Sequence, residues 1–304
     1  MTARAGSRAA QVLHLADGRA LGYAEWGDPG GRAVLELHGN PGGRLLLWDE
    51  DLLTAAGTRW ITVDRPGIGL SDPRPARRVT DWADDVAELT DALGLGRFAV
   101  VGFSVGGAYA AGCAHRLGER VSAVALVSSI VPFDRPGSFE ALGRSGYWRL
   151  SRRAPGLAAL SLRLQTAIAR AMPSIAARAF ARGLSDADAE LVRRRPEVVT
   201  RGIEQASDAM QRGARGLIED LRIVMGPWGF GLDEIEVPTA VWQGDDDGSI
   251  PASWGERLAT EIPGARLRAR PGEGHLLIAD RLGDIVAELE RMGGAGLEPA
   301  TSSV

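Results

Sequence analysis

The chain contains no lysine; all 35 of its basic residues are arginine. That absence removes a phosphate-loop lysine, a Schiff-base lysine and a lysine general base from the chemistry open to it. The single cysteine, Cys113, excludes an internal disulfide and a cysteine-ligated zinc. In a segment of small residues it reads as a buried small hydrophobe. No run approaches the ~20 apolar residues of a membrane span. The opening MTARAGSRAAQVLHLADG lacks the continuous apolar core of a signal peptide, so the expectation is a cytoplasmic protein. A formal charge of −4 argues against a nucleic-acid surface. What is present is a 304-residue chain, 45% apolar, enough for one large α/β domain or two small ones. No internal repeat is found.

The first third alternates strand and helix signals. QVLHL and RALGYAEW flank the turn Ala16-Asp17-Gly18, a hairpin pattern. AVLELHG (33–39), TRWITVD (58–64), RFAVVGF and RVSAVALVSS are short apolar runs suited to buried strands. TDWADDVAELTDALG (80–94) places Trp82, Val86, Leu89 and Leu93 at helical spacing, with Thr80 as N-cap and Gly94 as stop. Buried strands alternating with helices predict an α/β fold with a mostly parallel central sheet covered on both faces. From Pro132 to Pro227 no strand signal survives, only Ala-, Arg- and Leu-rich helical stretches. Strands return at VPTAVWQG (237–244) and ARLRAR (265–270). The expected organisation is therefore a core of residues 1–132 and 228–293, a helical lid over 133–227, and a disordered tail over 294–304. The lid's Phe139, Tyr147, Trp148, Met172, Phe180 and Met210 could line an apolar pocket, but most of them are expected to pack it onto the core, and its arginines to form a solvated face.

Chemistry concentrates in a few places. In Gly102-Phe103-Ser104-Val105-Gly106 a serine stands where an apolar strand gives way to a helix. Two readings fit: a sharp turn presenting the hydroxyl above a sheet, or a glycine-rich turn with an incidental serine. A serine nucleophile needs a base, and only four histidines exist: His14, His38, His115 and His275. His14 lies within a strand, and His115 lies near a helix C-terminus that favours a surface histidine. His38 in HGNPG and His275 in PGEGHLL follow strands, where catalytic side chains gather. An orienting acid could be Asp245, Asp246 or Asp247 in WQGDDDGSIP. The same stretch imitates a calcium loop, but Ile250 stands where that loop needs glycine, so no metal is expected.

The order Ser, Asp, His, together with these motifs, resembles the α/β-hydrolase superfamily. Gly102–Gly106 matches its nucleophile elbow, and Gly244, Asp247, Ile250 and Pro251 match its acid motif. Gly272-Glu273-Gly274-His275 matches its terminal histidine motif. HGNPG and DRPGIGLSD (64–72) resemble its HGxPG and DRxGxGxSD loops. The matches span about residues 11 to 292. The resemblance implies Ser104 as nucleophile, His275 as base and Asp247 as its orienter. It implies an oxyanion hole from the backbone N–H groups of Asn40 and Val105, whose side chains would be free to vary. His38, Gly39, Pro41 and Gly42 would form the supporting loop.

A serine at the elbow argues against the family's epoxide hydrolases and haloalkane dehalogenases, which use aspartate. Asn40 and Val105 depart from the HGGPG motif and the tryptophan after the serine that mark prolyl aminopeptidases. Carbon–carbon hydrolases and cofactor-free perhydrolases share the triad and stay open, as does a non-catalytic ligand-binding member of the fold. The expectation is a carboxylic-ester hydrolase for a small or medium apolar acyl substrate, a small-molecule partner and no cofactor. Glu36, in an apparently central strand, is expected to form a buried pair with a neighbouring loop.

Overall fold

The computed structural model describes residues 8–142 and 146–294; the tail assigned from the sequence lies, beyond Gly294, outside the described residues. Among the described residues eight strands are formed: β1 (Gln11–His14), β2 (Ala20–Gly27), β3 (Arg32–Leu37), β4 (Thr58–Val63), β5 (Phe98–Phe103), β6 (Val121–Val127), β7 (Thr239–Gly244) and β8 (Arg266–Arg270). They make one sheet in the order β1-β2-β4-β3-β5-β6-β7-β8. The predicted hairpin β1–β2 is antiparallel, β2 meets β4 antiparallel, and every later pairing is parallel.

Helices cover both faces. Before the insertion come α1 (Glu50–Ala55), α2 (Trp82–Ala92) and α3 (Gly106–Arg116). After β7 come α11 (Ala252–Glu261) and α12 (Ile278–Gly293). The central strands therefore bury both sides. Leu35, Val100, Leu126 and Val241 join the core that contains residues of α2, α3 and α11, while Val34, Val101, Ala125 and Trp242 join the core that contains residues of α12. This two-sided burial is why β5 and β6 read as continuous apolar runs rather than alternating ones. The α2 helix starts one residue later than Thr80 suggests, with Asp81 at its N-cap; Gly94 follows its end with φ +68°.

Between β6 and β7 the described residues form helices joined by loops, and no strand. The helices are α4 (Ser138–Ala141), α5 (Gly146–Arg153), α6 (Pro155–Ala171), α7 (Pro173–Ala181), α8 (Asp186–Arg194), α9 (Glu197–Ala209) and α10 (Arg215–Val224). The fold is an α/β sheet with a helical insertion. From β3 the chain goes first to β4 on one side and then to β5 on the other. The crevice at the carboxyl ends of β3 and β5 is the topological switch point, where open α/β sheets bind ligands.

Candidate active site

Ser104 follows the last residue of β5 and has φ +55°, a left-handed conformation rare outside glycine. Such a backbone costs about 1–2 kcal/mol, and its surroundings fix it. Ser104 N–H donates to Val127 O at 2.9 Å, and its carbonyl accepts from Gly107 N–H at 3.1 Å. The glycines around it leave spaces that neighbouring backbone and side-chain atoms occupy. A Cβ on Gly106 would collide with Leu37 O, and one on Gly107 with Ser129 Oγ. One on Gly102 would sit 2.6 Å from Ala110 Cβ. Of the two readings open at this turn, the sharp strand-to-helix turn is the one formed.

The three consecutive aspartates have three separate jobs. Asp245 accepts from Gly272 N–H at 2.7 Å, and Asp246 accepts from Ala187 N–H of α8 at 2.8 Å. Asp247 lies against His275, with Nδ1 2.9 Å from Oδ2 and 3.1 Å from Oδ1. Oδ1 also accepts from Ser249 and Ile250 N–H at 2.8 Å each. Burial opposes ionisation of Asp247, but His275 and these amides hold it below the ordinary carboxylate range. Burial likewise opposes charging His275, but the charge and hydrogen bond of Asp247, with Asp188, raise it above the ordinary imidazole value. A carboxylate on Nδ1 leaves Nε2 as the basic nitrogen.

Ser104 and His275 border one cavity of about 570 Å³, together with Gly39, Asn40, Pro41 and Gly42. Among the described residues no hydrogen bond yet joins the serine hydroxyl to the imidazole; such contacts commonly tighten only with substrate bound. The backbone N–H groups of Asn40 and Val105 are likewise not taken up by other acceptors among the described residues. Most of the rest of the wall is apolar, including Trp48, Phe103, Leu162, Ile203 and Leu276, with Gln165, Thr166 and Gln205 as polar side chains among it. Among the described residues Arg201 is the guanidinium of the wall, and it donates to Trp48 O at 2.8 Å.

His38 does not border the cavity. Its Nδ1 is 2.8 Å from Gly39 O, and burial, then the nearby Arg65 charge, push its pKa down to about 3. It is a neutral ring within the loop. Asn40 precedes Pro41 through a cis peptide bond. Its side chain is not idle, contrary to the expectation from its backbone role. Nδ2 donates to Leu217 O of α10 at 2.8 Å, and Oδ1 accepts from Tyr147 of α5 at 2.8 Å. Glu36 is fully buried between two indoles, accepting from Trp48 at 2.8 Å and Trp60 at 2.7 Å. One partner comes from the neighbouring loop as expected, the other from β4. Burial, against those two donors, pushes the Glu36 carboxyl up to about 7.

Several residues that shape the site carried no sequence signal. Asp188 of α8, 2% exposed, accepts from the backbone N–H groups of His275 at 2.9 Å and Leu276 at 2.8 Å. Gly274 is needed there because a Cβ would collide with that carboxylate. Ser128, with φ +46°, donates to His275 O at 3.0 Å. Asp220 of α10 is buried against Arg65, Arg77 and Tyr109, at 2.7, 2.8 and 2.7 Å. Burial opposes its charge, but the two guanidiniums hold its pKa at about 2. Arg65 in turn donates to His38 O at 2.7 Å and so fixes the loop that carries Asn40. Asp208 of α9 pairs with Arg44, at 3.0 Å from its Nη2, farther along the same loop.

Residues 32–282 match the family model described as alpha/beta hydrolase fold. A poly(3-hydroxyalkanoate) depolymerase from Ectopseudomonas oleovorans is 30% identical over 73% of this chain and 70% of its own length. A non-heme chloroperoxidase from Streptomyces lividans is 37% identical over 38% of this chain, so the chain spans only 43% of that relative's length. Among solved structures, an alpha/beta hydrolase fold protein from Nakamurella multipartita superposes with a TM-score of 0.69 at 27% identity, covering 94% of this chain and all (100%) of the other. The chain belongs to the alpha/beta hydrolase fold family.

Proposed function

We propose that this protein is a serine hydrolase that cleaves carboxylic esters of small or medium apolar acyl groups. The observation that carries this reading is the Asp247–His275 pair opening, with Ser104, onto one apolar cavity. In this mechanism His275 Nε2 takes the Ser104 proton as Oγ attacks the ester carbonyl. The resulting oxyanion sits against the N–H groups of Asn40 and Val105, each such donor being worth about 3–4 kcal/mol in the transition state. Collapse breaks the C–O bond, and His275 returns the proton to the departing alcohol. Water then repeats the sequence on the acyl-enzyme and releases the acid. Asp247 fixes the tautomer and stabilises the imidazolium.

The cavity wall supports an apolar acyl group and, among the described residues, offers no carboxylate for a substrate ammonium, which weighs against an aminopeptidase. The depolymerase relative acts, by name, on a polyester, in keeping with an ester bond here. The helices of 133–227 supply Leu162, Ile168, Val199 and Ile203 to the wall, so they act as a lid that selects the acyl group over a core of 1–132 and 228–293. Ser104→Ala removes only a hydroxyl. It is expected to lower turnover of a p-nitrophenyl ester series by on the order of 10⁴-fold or more, with the melting temperature unchanged. Retention of most of the activity removes the mechanism.

A further inference from the structure

The net charge of −4 conceals a local excess. Residues 141–185 contain eight arginines and no aspartate or glutamate. The same stretch holds all but one of the exposed large apolar side chains among the described residues: Leu157, Leu160, Leu164, Ile168, Met172 and Ile175, each 43–61% exposed. On α6, positions 157, 160, 164 and 168 fall within an arc of about 80° at 100° per residue. Arg163 and Arg170 lie roughly 60–80° beyond one edge of that arc. Both are exposed and make no ion pair among the described residues. At the other edge Ile168 borders the cavity itself. The stripe therefore runs from solvent to the cavity mouth, with cations along its far side.

We propose that α6 and α7 dock the protein on an anionic phospholipid surface, the leucine stripe entering the acyl region and the arginines meeting phosphates, so that the cavity mouth faces lipid. An exposed apolar face flanked by arginines is the pattern of helices that lie in the headgroup plane. No helix among the described residues is long and apolar enough to cross a membrane, so the contact is peripheral. The charge selects this occupant over a second copy of the chain. An isologous dimer would set this arginine face against itself, with no acid on either side to offset the repulsion. That docking also delivers lipophilic esters to Ser104 rests on the esterase reading; the docking itself does not.

The test is partition of the full chain onto vesicles of phosphatidylcholine alone and of phosphatidylcholine with about one-third phosphatidylglycerol, measured by flotation at low and high salt. The Ser104→Ala variant is run in parallel, so that binding is read independently of any turnover. The expected result is at least tenfold tighter partition onto the anionic vesicles, weakened by salt. Arg163→Gln and Arg170→Gln should each weaken it roughly fivefold. Leu160→Ser with Leu164→Ser should abolish it while turnover of a water-soluble ester stays unchanged. Equal partition onto both vesicle types, or none onto the anionic ones, overturns the proposal. So does a dimer in sedimentation velocity that the leucine variant dissolves while vesicles stay unbound, because the stripe then belongs to a second copy.

Discussion

The two halves of the helical insertion are held in opposite ways. Helices α8–α10 are tied to the core by carboxylates that reach into it: Asp188 to the His275 loop, Asp208 to Arg44, and Asp220 to Arg65 and Arg77. Helices α5–α7 contain no acid at all and turn leucines and arginines outward. One half shares its polar groups with the loops around Ser104, so it is part of the site's construction. The other touches the site through a hydrogen bond from Tyr147 and through a mostly apolar wall that includes Gln165 and Thr166. A side chain removed from the first half should therefore damage the site or the fold, whereas one removed from the outer face of the second should do neither.

The largest effects belong to the core, against which both halves are measured. Asp247→Asn should lower kcat by about 10⁴-fold, as loss of the orienting acid does in comparable triads. Asp246→Asn weakens only a contact to the start of α8 and should cost far less. A crippling Asp246→Asn beside a mild Asp247→Asn would reverse the assignment. Next comes Asp220→Ala, which leaves two buried guanidiniums without their shared partner. It should destabilise the protein by about 3–5 kcal/mol in urea unfolding, whereas Arg170→Ala on the outer half should stay within about 0.5 kcal/mol. Equal costs would erase the distinction between the halves.

A smaller effect reports on His275. The base must be neutral, and Asp247 raises its pKa, so kcat/KM should fall as pH drops through a midpoint above about 6.5. In Asp247→Asn the supporting charge is gone while the burial remains, so the midpoint of the residual activity should move down. A midpoint that rises, or does not move, would show that Asp247 does not set the charge of the ring. Glu36→Gln should be the mildest of these changes in activity. It leaves one indole N–H without its carboxylate oxygen, a cost of about 1–3 kcal/mol in stability.

The strands, their helices and the position of the insertion were legible because two-sided burial writes continuous apolar runs and the insertion writes none. The turn at Ser104 was legible because Gly102, Gly106 and Gly107 mark close approaches that leave no room for a side chain. Asp188, Asp208 and Asp220 were not. In sequence they are acids on amphipathic helices, which commonly face water, and only arginines and amides brought from distant strands make them buried. The second indole on Glu36 is hidden for the same reason, since Trp60 meets it through sheet pairing rather than proximity in the chain. The arginine excess was averaged away by the net charge. Met172, expected to pack against the core, is 43% exposed in the outer stripe, because amphipathic spacing does not say which face meets the sheet. The side chain of Phe180 lies outside the described residues.

The most direct measurement is covalent capture. The protein is incubated with a fluorophosphonate at neutral pH, digested, and the modified peptide identified by mass spectrometry, with Asp247→Asn and Ser104→Ala alongside. The expected result is one stoichiometric adduct on Ser104, formed orders of magnitude more slowly in Asp247→Asn and absent in Ser104→Ala. Ester turnover that persists in protein left unlabelled, or an adduct on a different residue that abolishes turnover, would contradict the assignment of Ser104 as the nucleophile.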